Sequence, residues 1–316
     1  MKSIFSKLVS AFSGDDFFSA KYLCNPEIAA SRFNKALKKA REYYDIQKHK
    51  KIAPELIHES WLQNIMALES YFTGQMSEDF ISNNIVNGTM VFTNRKVHKL
   101  ELKNISDVFE KNKTEEIISK GLNTAFLSGK SRRSTLINSV HHLHHLMRFE
   151  QSTGKKIGAI NNVVEFGGGY GNMARIVNNI GSCKTYSIVD LLLFSCIQYV
   201  FLSTVAGNNQ VAFDDGNAKG NTKFLLHPLF RADSPVNLRG ELFLSTWALS
   251  ESTRAAYEWV TACDWFGATS LLLAYNEHWK PWQENELEES LASNGWRIAK
   301  ETIPFLPGSF YIFATR

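Results

Sequence analysis

From about residue 25 to residue 153, apolar positions recur at helical spacing. Asn25-Pro26-Glu27 places a capping side chain, a proline at the first helical position and an acid in the first turn, so a helix starts there. Pro54-Glu55 opens a second helix that carries Leu56, Trp61, Ile65, Leu68 and Phe72 and closes at Gly74. Ser77-Glu78-Asp79 starts a third, ended by Gly88, and a short extended piece runs from Thr89 to Phe92. Helices over Thr114–Ser128 and Arg133–Thr153 follow, the second closed by Gly154 as a C-cap.

After Lys156 the rhythm changes to short β-branched or apolar runs alternating with helical ones. Strands are expected at Asn162–Phe166, Thr185–Val189, Gln210–Phe213, Lys223–Leu226, Glu241–Thr246 and Ser270–Tyr275. Helices fall between several of them, at Asn172–Ile180, Leu193–Ala206, Ser252–Cys263 and Glu284–Asn294. Such alternation implies parallel strands joined by crossover helices. Trp296–Phe305 and Phe310–Thr315 are strand-like runs joined by Leu306-Pro307-Gly308-Ser309, so they should pair antiparallel. The chain reads as α/β: a mostly helical region over 1–155, then a Rossmann-like sheet with an antiparallel C-terminal hairpin over 156–316.

Composition narrows this little. Hydrophobic residues make up 44% and charged residues 21% of 316, as in a soluble globular protein, and a net charge of +4 gives no case for nucleic acid as a partner. The basic run Lys35 to Lys51 reads as a solvated helix face; docking to an acidic partner or peripherally to a membrane surface is the alternative. Cys24, Cys183, Cys196 and Cys263 are scattered, which suits a reducing compartment and supports neither a zinc site nor disulfides. In the N-terminal MKSIFSKLVSAFSGDDFF, Lys7 and the serines interrupt the apolar stretch, so a cytoplasmic location is expected rather than secretion.

The chemistry-bearing segment is Glu165-Phe166-Gly167-Gly168-Gly169-Tyr170-Gly171, where an apolar strand runs into glycines and a helix opens at Asn172. Bare backbone there can approach a ligand closely. A dinucleotide fingerprint, G-x-G-x-x-G, fails because its third glycine would fall at Asn172. An acid two positions before the first glycine would repel a pyrophosphate but suits S-adenosylmethionine, whose amino and sulfonium groups are cationic. Asp190, ending the next strand, can accept hydrogen bonds from ribose hydroxyls. Leu191 follows it at the same strand end.

Three stretches carry a family likeness: HHLHHLMRFEQSTG with VVEFGGGYGNMARI, then YSIVDLLLFSCIQYVFL, then ELFLSTWALSES. On these, over roughly residues 135 to 260, the chain resembles the bacterial sugar O-methyltransferases of polysaccharide and lipopolysaccharide gene clusters. Leu192 stands where that family commonly has a proline. The resemblance implies a class I S-adenosylmethionine-dependent methyltransferase with a sugar or glycan acceptor. The helical region would then cover the acceptor pocket or support a homo-oligomer.

Methyl transfer requires an acceptor oxygen aligned for in-line displacement, and a sugar hydroxyl needs a base or a metal. In such folds the acceptor lies beyond the carboxyl ends of the strands. At the end of Glu241–Thr246 stand Ser245 and Thr246, expected beside the cofactor, followed by Trp247 as an apolar or sugar-stacking wall and Glu251 as a base or hydroxyl-orienting acceptor. Ser250-Glu251-Ser252 also reads as a helix start, where an acid is favoured anyway. Tyr275, ending Ser270–Tyr275, is expected as a substrate contact and His278 beyond it as a second base; His227 follows another strand. Trp279 and Trp282 suit stacking on a ring. In His141-His142-Leu143-His144-His145 the histidines flank a buried face, which favours packing, with His144 or His145 reaching substrate as the alternative and no metal expected. Asp214-Asp215-Gly216-Asn217 reads as a solvated turn.

Overall fold

The computed structural model describes residues 18–50, 54–181, 183–214, 222–229 and 238–316. The N-terminal segment through residue 17, Lys51 of the basic run and Asp215-Gly216-Asn217 lie outside the described residues. Six described helices come first: α1 (Pro26–Gln47), α2 (Leu62–Thr73), α3 (Asn84–Met90), α4 (Arg95–Ser106), α5 (Lys111–Ser119) and α6 (Gly129–Thr153). Asn25 caps α1 by accepting from the backbone N–H of Glu27 and Ile28, and Gly154 ends α6 in the left-handed conformation, both as the sequence pattern implied.

The sheet-forming part comprises β1 (Asn162–Phe166), α7 (Asn172–Ile180), β2 (Thr185–Asp190), α8 (Leu192–Ala206), β3 (Val211–Phe213), β4 (Phe224–Pro228), β5 (Leu242–Thr246), α9 (Arg254–Ala262), β6 (Ser270–Asn276), α10 (Glu286–Ser293), β7 (Arg297–Thr302) and β8 (Ser309–Thr315). The strands form one eight-stranded sheet in the order β3-β4-β2-β1-β5-β6-β8-β7. The first six are parallel; β8 inserts antiparallel beside β6, with Asn276 opposite Ser309, and β7 closes the hairpin. Helices on both faces bury the parallel strands, which is why runs such as Leu242-Phe243-Leu244 show no polar alternation. From β1 the chain winds to one side through β2 and returns to its other side at β5. That reversal opens a crevice above the carboxyl ends of β1 and β5.

Helix α8 is apolar all round because α1 covers the side that faces away from the sheet. Ala29, Phe33, Ala36, Leu37 and Ala40 form the buried stripe of α1, and its alanines let the two axes approach closely. Burial of Phe33 and Leu37 contributes about 1.5–3 kcal/mol each. Lys39 of the basic run lies 5.2 Å from the Tyr199 ring, Arg41 donates to the carbonyls of Phe72 and Gly74, and Lys48 pairs with Asp45. No described helix is long and apolar enough to cross a membrane.

Several expected helices are divided. The segment from Pro54 to Gly74 is two single 3-10 turns, Pro54–Leu56 and Glu59–Trp61, before α2 begins; the His58 side chain accepts from the Ser60 N–H and caps the second turn. Between Ser77 and Gly88 the chain makes a turn at Phe80–Ser82 and restarts as α3 under an Asn83 cap, continuing through Gly88 to Met90. Thr89 and Met90 are therefore helical rather than extended. The stretch Thr114–Ser128 holds only α5, which stops at Ser119 before Lys120-Gly121. Helix α4, capped by Asn94, lies where no helix was expected; its charged face masks the stripe Val97, Leu102, Ile105.

Candidate functional site

A cavity of about 510 Å³ occupies the crevice. Its floor is the carboxyl ends of β1, β2, β5 and β6, and its roof comes from the turns around Leu56–Trp61, the segment Gly88–Phe92 and α6. The helical region thus closes over the sheet and narrows access to it.

At the cofactor side the backbone leaves β1 through Gly167, whose N–H donates to the Val189 carbonyl at 2.9 Å. Gly167 has φ +76, and a Cβ there would stand 2.0 Å from the Ala248 Cβ of the loop after β5, so the two loops touch directly. The Asp190 carboxylate gathers the next turn: it accepts from Gly168 N–H at 2.9 Å, Leu191 N–H at 2.8 Å and the Gln198 amide at 2.6 Å. The same Gln198 amide reaches the Gly169 carbonyl at 3.1 Å. Glu165 is buried and accepts from the Tyr186 hydroxyl at 2.9 Å. Burial lifts Glu165 to about 8 and Asp190 to about 7, the latter against the pull of its three donors. Neither carboxylate has a cationic side-chain partner among the described residues.

Glu165, Phe166, Gly167, Gly168, Gly169, Asp190, Leu191 and Thr246 all line the cavity. Gly171 and Ser245 do not. Gly171 caps α7 in the left-handed region, and the Ser245 hydroxyl donates to the Phe166 carbonyl at 2.9 Å while accepting from the Leu249 N–H. Both shape the turn from behind.

On the acceptor side, Trp247 lines the cavity with φ 73, a conformation costly for a residue with a Cβ. Its N–H on the Ala274 carbonyl at 2.7 Å and its carbonyl under the Ser250 hydroxyl at 2.7 Å hold it there. Glu251, the base expected from the sequence, lines the cavity half-buried, and burial raises its pKa. His278 does not reach the cavity: it is exposed, its backbone N–H donating to the Asn276 side-chain oxygen, beside Gly308. Tyr275 points into the opposite core, packed on Trp282 at 5.3 Å, because the residues of β6 alternate faces and Asn276 takes the cavity side. Trp279, 60% exposed, stands at the cavity mouth. His227 pairs with Asp214 at 2.8 Å, away from the cavity.

The histidine run divides its work. His144 and His145 are buried and do not line the cavity, contrary to the substrate-contact expectation; His141 and His142 do line it. A hydrogen-bonded chain runs from Glu101 to His141 Nδ1 at 2.6 Å, from His141 Nε2 to His145 Nε2 at 3.0 Å, and from His145 Nδ1 to the Tyr311 hydroxyl at 2.6 Å. With both nitrogens engaged, His141 offers the cavity only its ring, stacked on Phe92 at 3.8 Å. Burial and the neighbouring histidines push His145 well below the usual imidazole range, and burial takes His144 to about 4. The chain ties α4 and α6 to β8. Among the described residues no cluster of three or more His, Cys, Asp and Glu side chains is arranged to hold a metal ion.

Sequence reasoning missed Trp61, Met90, Phe92, Asn138 and Phe194 as cavity residues. Their local patterns mark them only as core or turn, since nothing in the spacing tells which core meets a cavity. Tyr186 and Gln198 were also missed as partners of the two carboxylates, although Gln198 lies in one of the family-like stretches.

No protein-family model matches this sequence, and no curated protein matches it. Among solved structures, the chain is similar to a ribosomal-protein methylase from Lactobacillus delbrueckii subsp. bulgaricus: 14% identity, 56% of this chain and 79% of that one covered, TM-score 0.37. It is also similar to magnesium protoporphyrin IX methyltransferase from Synechocystis PCC 6803: 13% identity, 69% and 97% covered, TM-score 0.39. A third is an S-adenosylmethionine-dependent methyltransferase from Clostridium acetobutylicum ATCC 824, at 9% identity, 54% and 89% covered, TM-score 0.39. The strand order, with β8 antiparallel between β6 and β7 and a glycine turn after β1, makes this a Rossmann-like methyltransferase fold.

Proposed function

We propose that the protein is an S-adenosylmethionine-dependent O-methyltransferase acting on a sugar hydroxyl, in a bacterial surface glycan or its precursor. The observation that carries the cofactor reading is the pair of carboxylates, buried Glu165 and half-buried Asp190, flanking a glycine turn with no described cationic side chain against them. Both are held partly protonated by burial, so a cationic ligand that restores their charge gains the Coulomb energy that desolvation withholds. When bound, S-adenosylmethionine supplies an electrophilic methyl group. Asp190 would receive the ribose hydroxyls while its three protein donors keep the carboxylate in place, and Gly167 to Gly169 would leave room for the rest.

On the acceptor side, Trp247 and Trp279 line the cavity, and an indole ring suits packing against the C–H face of a sugar. Glu251 would take the hydroxyl proton as the methyl group passes from sulfur to oxygen; half-burial gives it more proton affinity than a solvated carboxylate. The roof formed by Leu56–Trp61 and Gly88–Phe92 excludes water from that step.

The test has two stages. Calorimetric titration with S-adenosylhomocysteine should show micromolar binding that Asp190→Ala weakens, with none for NAD; tight NAD binding refutes the cofactor assignment. A panel of sugars and glycosides with methyl-labelled cofactor should then give labelled ethers. Glu251→Gln should lower turnover by about 10²–10⁴-fold at unchanged product affinity, and a loss below about threefold removes Glu251 from the role of base. Label appearing only in a protein or an aromatic metabolite would replace the sugar.

A further inference from the structure

The cavity carries three carboxylates in its described lining, Glu165, Asp190 and Glu251, and no lysine or arginine. The proposed cofactor is cationic at its sulfonium and amino groups but ends in one carboxylate, which needs a hydrogen-bond donor. Most polar lining side chains on the glycine-turn side are already committed. Asn138 accepts from the Phe92 N–H and donates to the Tyr170 hydroxyl. His141 is engaged at both nitrogens.

His142 differs, and the reason lies behind it. Arg175, 2% exposed, is anchored by the carbonyls of Ile118 and Lys120 and by the Ser139 hydroxyl. Its Nε and Nη2 both donate to Asn172 Oδ1, at 3.1 and 2.9 Å. A guanidinium can only donate, so the amide orientation of Asn172 is set and its Nδ2 must face His142 Nδ1, 3.1 Å away. Nδ1 is therefore an acceptor, and the neutral ring carries its proton on Nε2. Protonation at Nδ1 would set two donors against each other. Burial, His141 and Arg175 act in the same direction and push the pKa well below the usual range. His142 lines the cavity beside Asn172, the first residue of α7 after the glycine turn, and its Nε2 has no protein partner among the described residues.

We propose that the buried relay Arg175–Asn172 fixes His142 as a permanent Nε2–H donor that receives the carboxylate of the cofactor's methionine portion. The inference rests on the S-adenosylmethionine reading and deepens it. His142 is here a binding residue rather than a base: its free nitrogen is the protonated one, and Asn172 is the positioning residue behind it. It also gives a reason for the asparagine at the position where a dinucleotide fingerprint has glycine: a glycine there would leave the imidazole free to turn its bare nitrogen to the cavity.

The experiment compares two ligands by calorimetry on the full-length protein. S-adenosylhomocysteine carries the carboxylate; 5′-methylthioadenosine keeps the adenosine and sulfur but lacks the whole aminocarboxyl end. His142→Leu should weaken S-adenosylhomocysteine about 10- to 100-fold, the range for a hydrogen bond to a charged group, and leave 5′-methylthioadenosine within about twofold. His142→Gln, whose amide can accept from Asn172 and donate to the cavity, should retain most of the affinity for both. Asn172→Ala keeps the ring but frees its tautomer, and it should lose part of the S-adenosylhomocysteine affinity alone; it decides the matter if His142→Leu does not fold. Equal weakening of both ligands by His142→Leu, or no weakening of either, overturns the proposal while leaving the cofactor intact. A wild-type protein that binds neither ligand overturns the cofactor reading itself.

Discussion

Gly167→Ala tests the contact between the two loops that make the cavity floor. The new methyl group meets two penalties that the structure separates. Gly167 has φ +76, a region that costs an L-residue about 1–2 kcal/mol. The added Cβ would also stand 2.0 Å from the Ala248 Cβ, and a buried overlap of that kind costs about 1–3 kcal/mol after relaxation. The sum is about 2–5 kcal/mol, a fall in Tm of up to about 10 °C in a chain of this size. Ala248→Gly removes the colliding carbon, and the next atom, the Ala248 Cα, is 3.5 Å from the position of the added methyl group, an ordinary contact. The double variant Gly167→Ala/Ala248→Gly should therefore recover the overlap term and retain the backbone term. Differential scanning calorimetry on wild type, both single variants and the double variant measures the coupling. A double variant no more stable than the sum of its singles would refute the reasoning, since it would show that the loops do not touch there.

Two further outcomes follow from the buried polar groups. Glu165 has its pKa raised to about 8 by burial, so the folded protein holds this proton where the unfolded chain has released it; the stability it confers is present below about pH 4.5 and is lost as pH rises toward 8. The depressed His142, His144 and His145 have the opposite sign and act below the ordinary imidazole range, so the comparison is made from pH 6.5 upward. Over about pH 6.5 to 8.5 the Tm of wild type should fall relative to that of Glu165→Gln, and a parallel course would refute the assignment. Tyr311→Phe removes the hydroxyl that bonds His145 Nδ1 at 2.6 Å and should cost about 1–3 kcal/mol in denaturant titration, without changing S-adenosylhomocysteine affinity. An unchanged midpoint would mean that the Glu101–His141–His145–Tyr311 chain does not contribute to stability.

Local chemistry made the nucleotide-binding half legible. Strands buried on both faces leave near-continuous apolar runs, glycines mark the turn, and Asp190 ends the next run, so β1, α7, β2 and α8 were read within a residue or two of their bounds. The helical half was harder to read. Its breaks at His58, Asn83 and Asn94 depend on side-chain caps, which periodicity does not register, and α4 hides a narrow apolar stripe among charges. The site divides in the same way. Glu165, the glycines and Asp190 lie within one β-α-β unit, so their meeting follows from chain connectivity. The roof does not: Trp61, Phe92, Asn138 and His142 reach the cavity only because the helical region packs on the sheet-forming part, α2 against α8 and α6 against α7 and β8. The tautomer of His142 depends on Arg175 and Asn172 one helix away, and the exclusion of His278, Tyr275, His144 and His145 depends on which face each backbone turns inward. The α/β alternation and the glycine turn with its two acids could be read from the chain alone, because neighbouring residues dictate them. Which histidines and tryptophans meet that turn came from packing, because burial brings together residues far apart in the chain and no local pattern encodes that meeting.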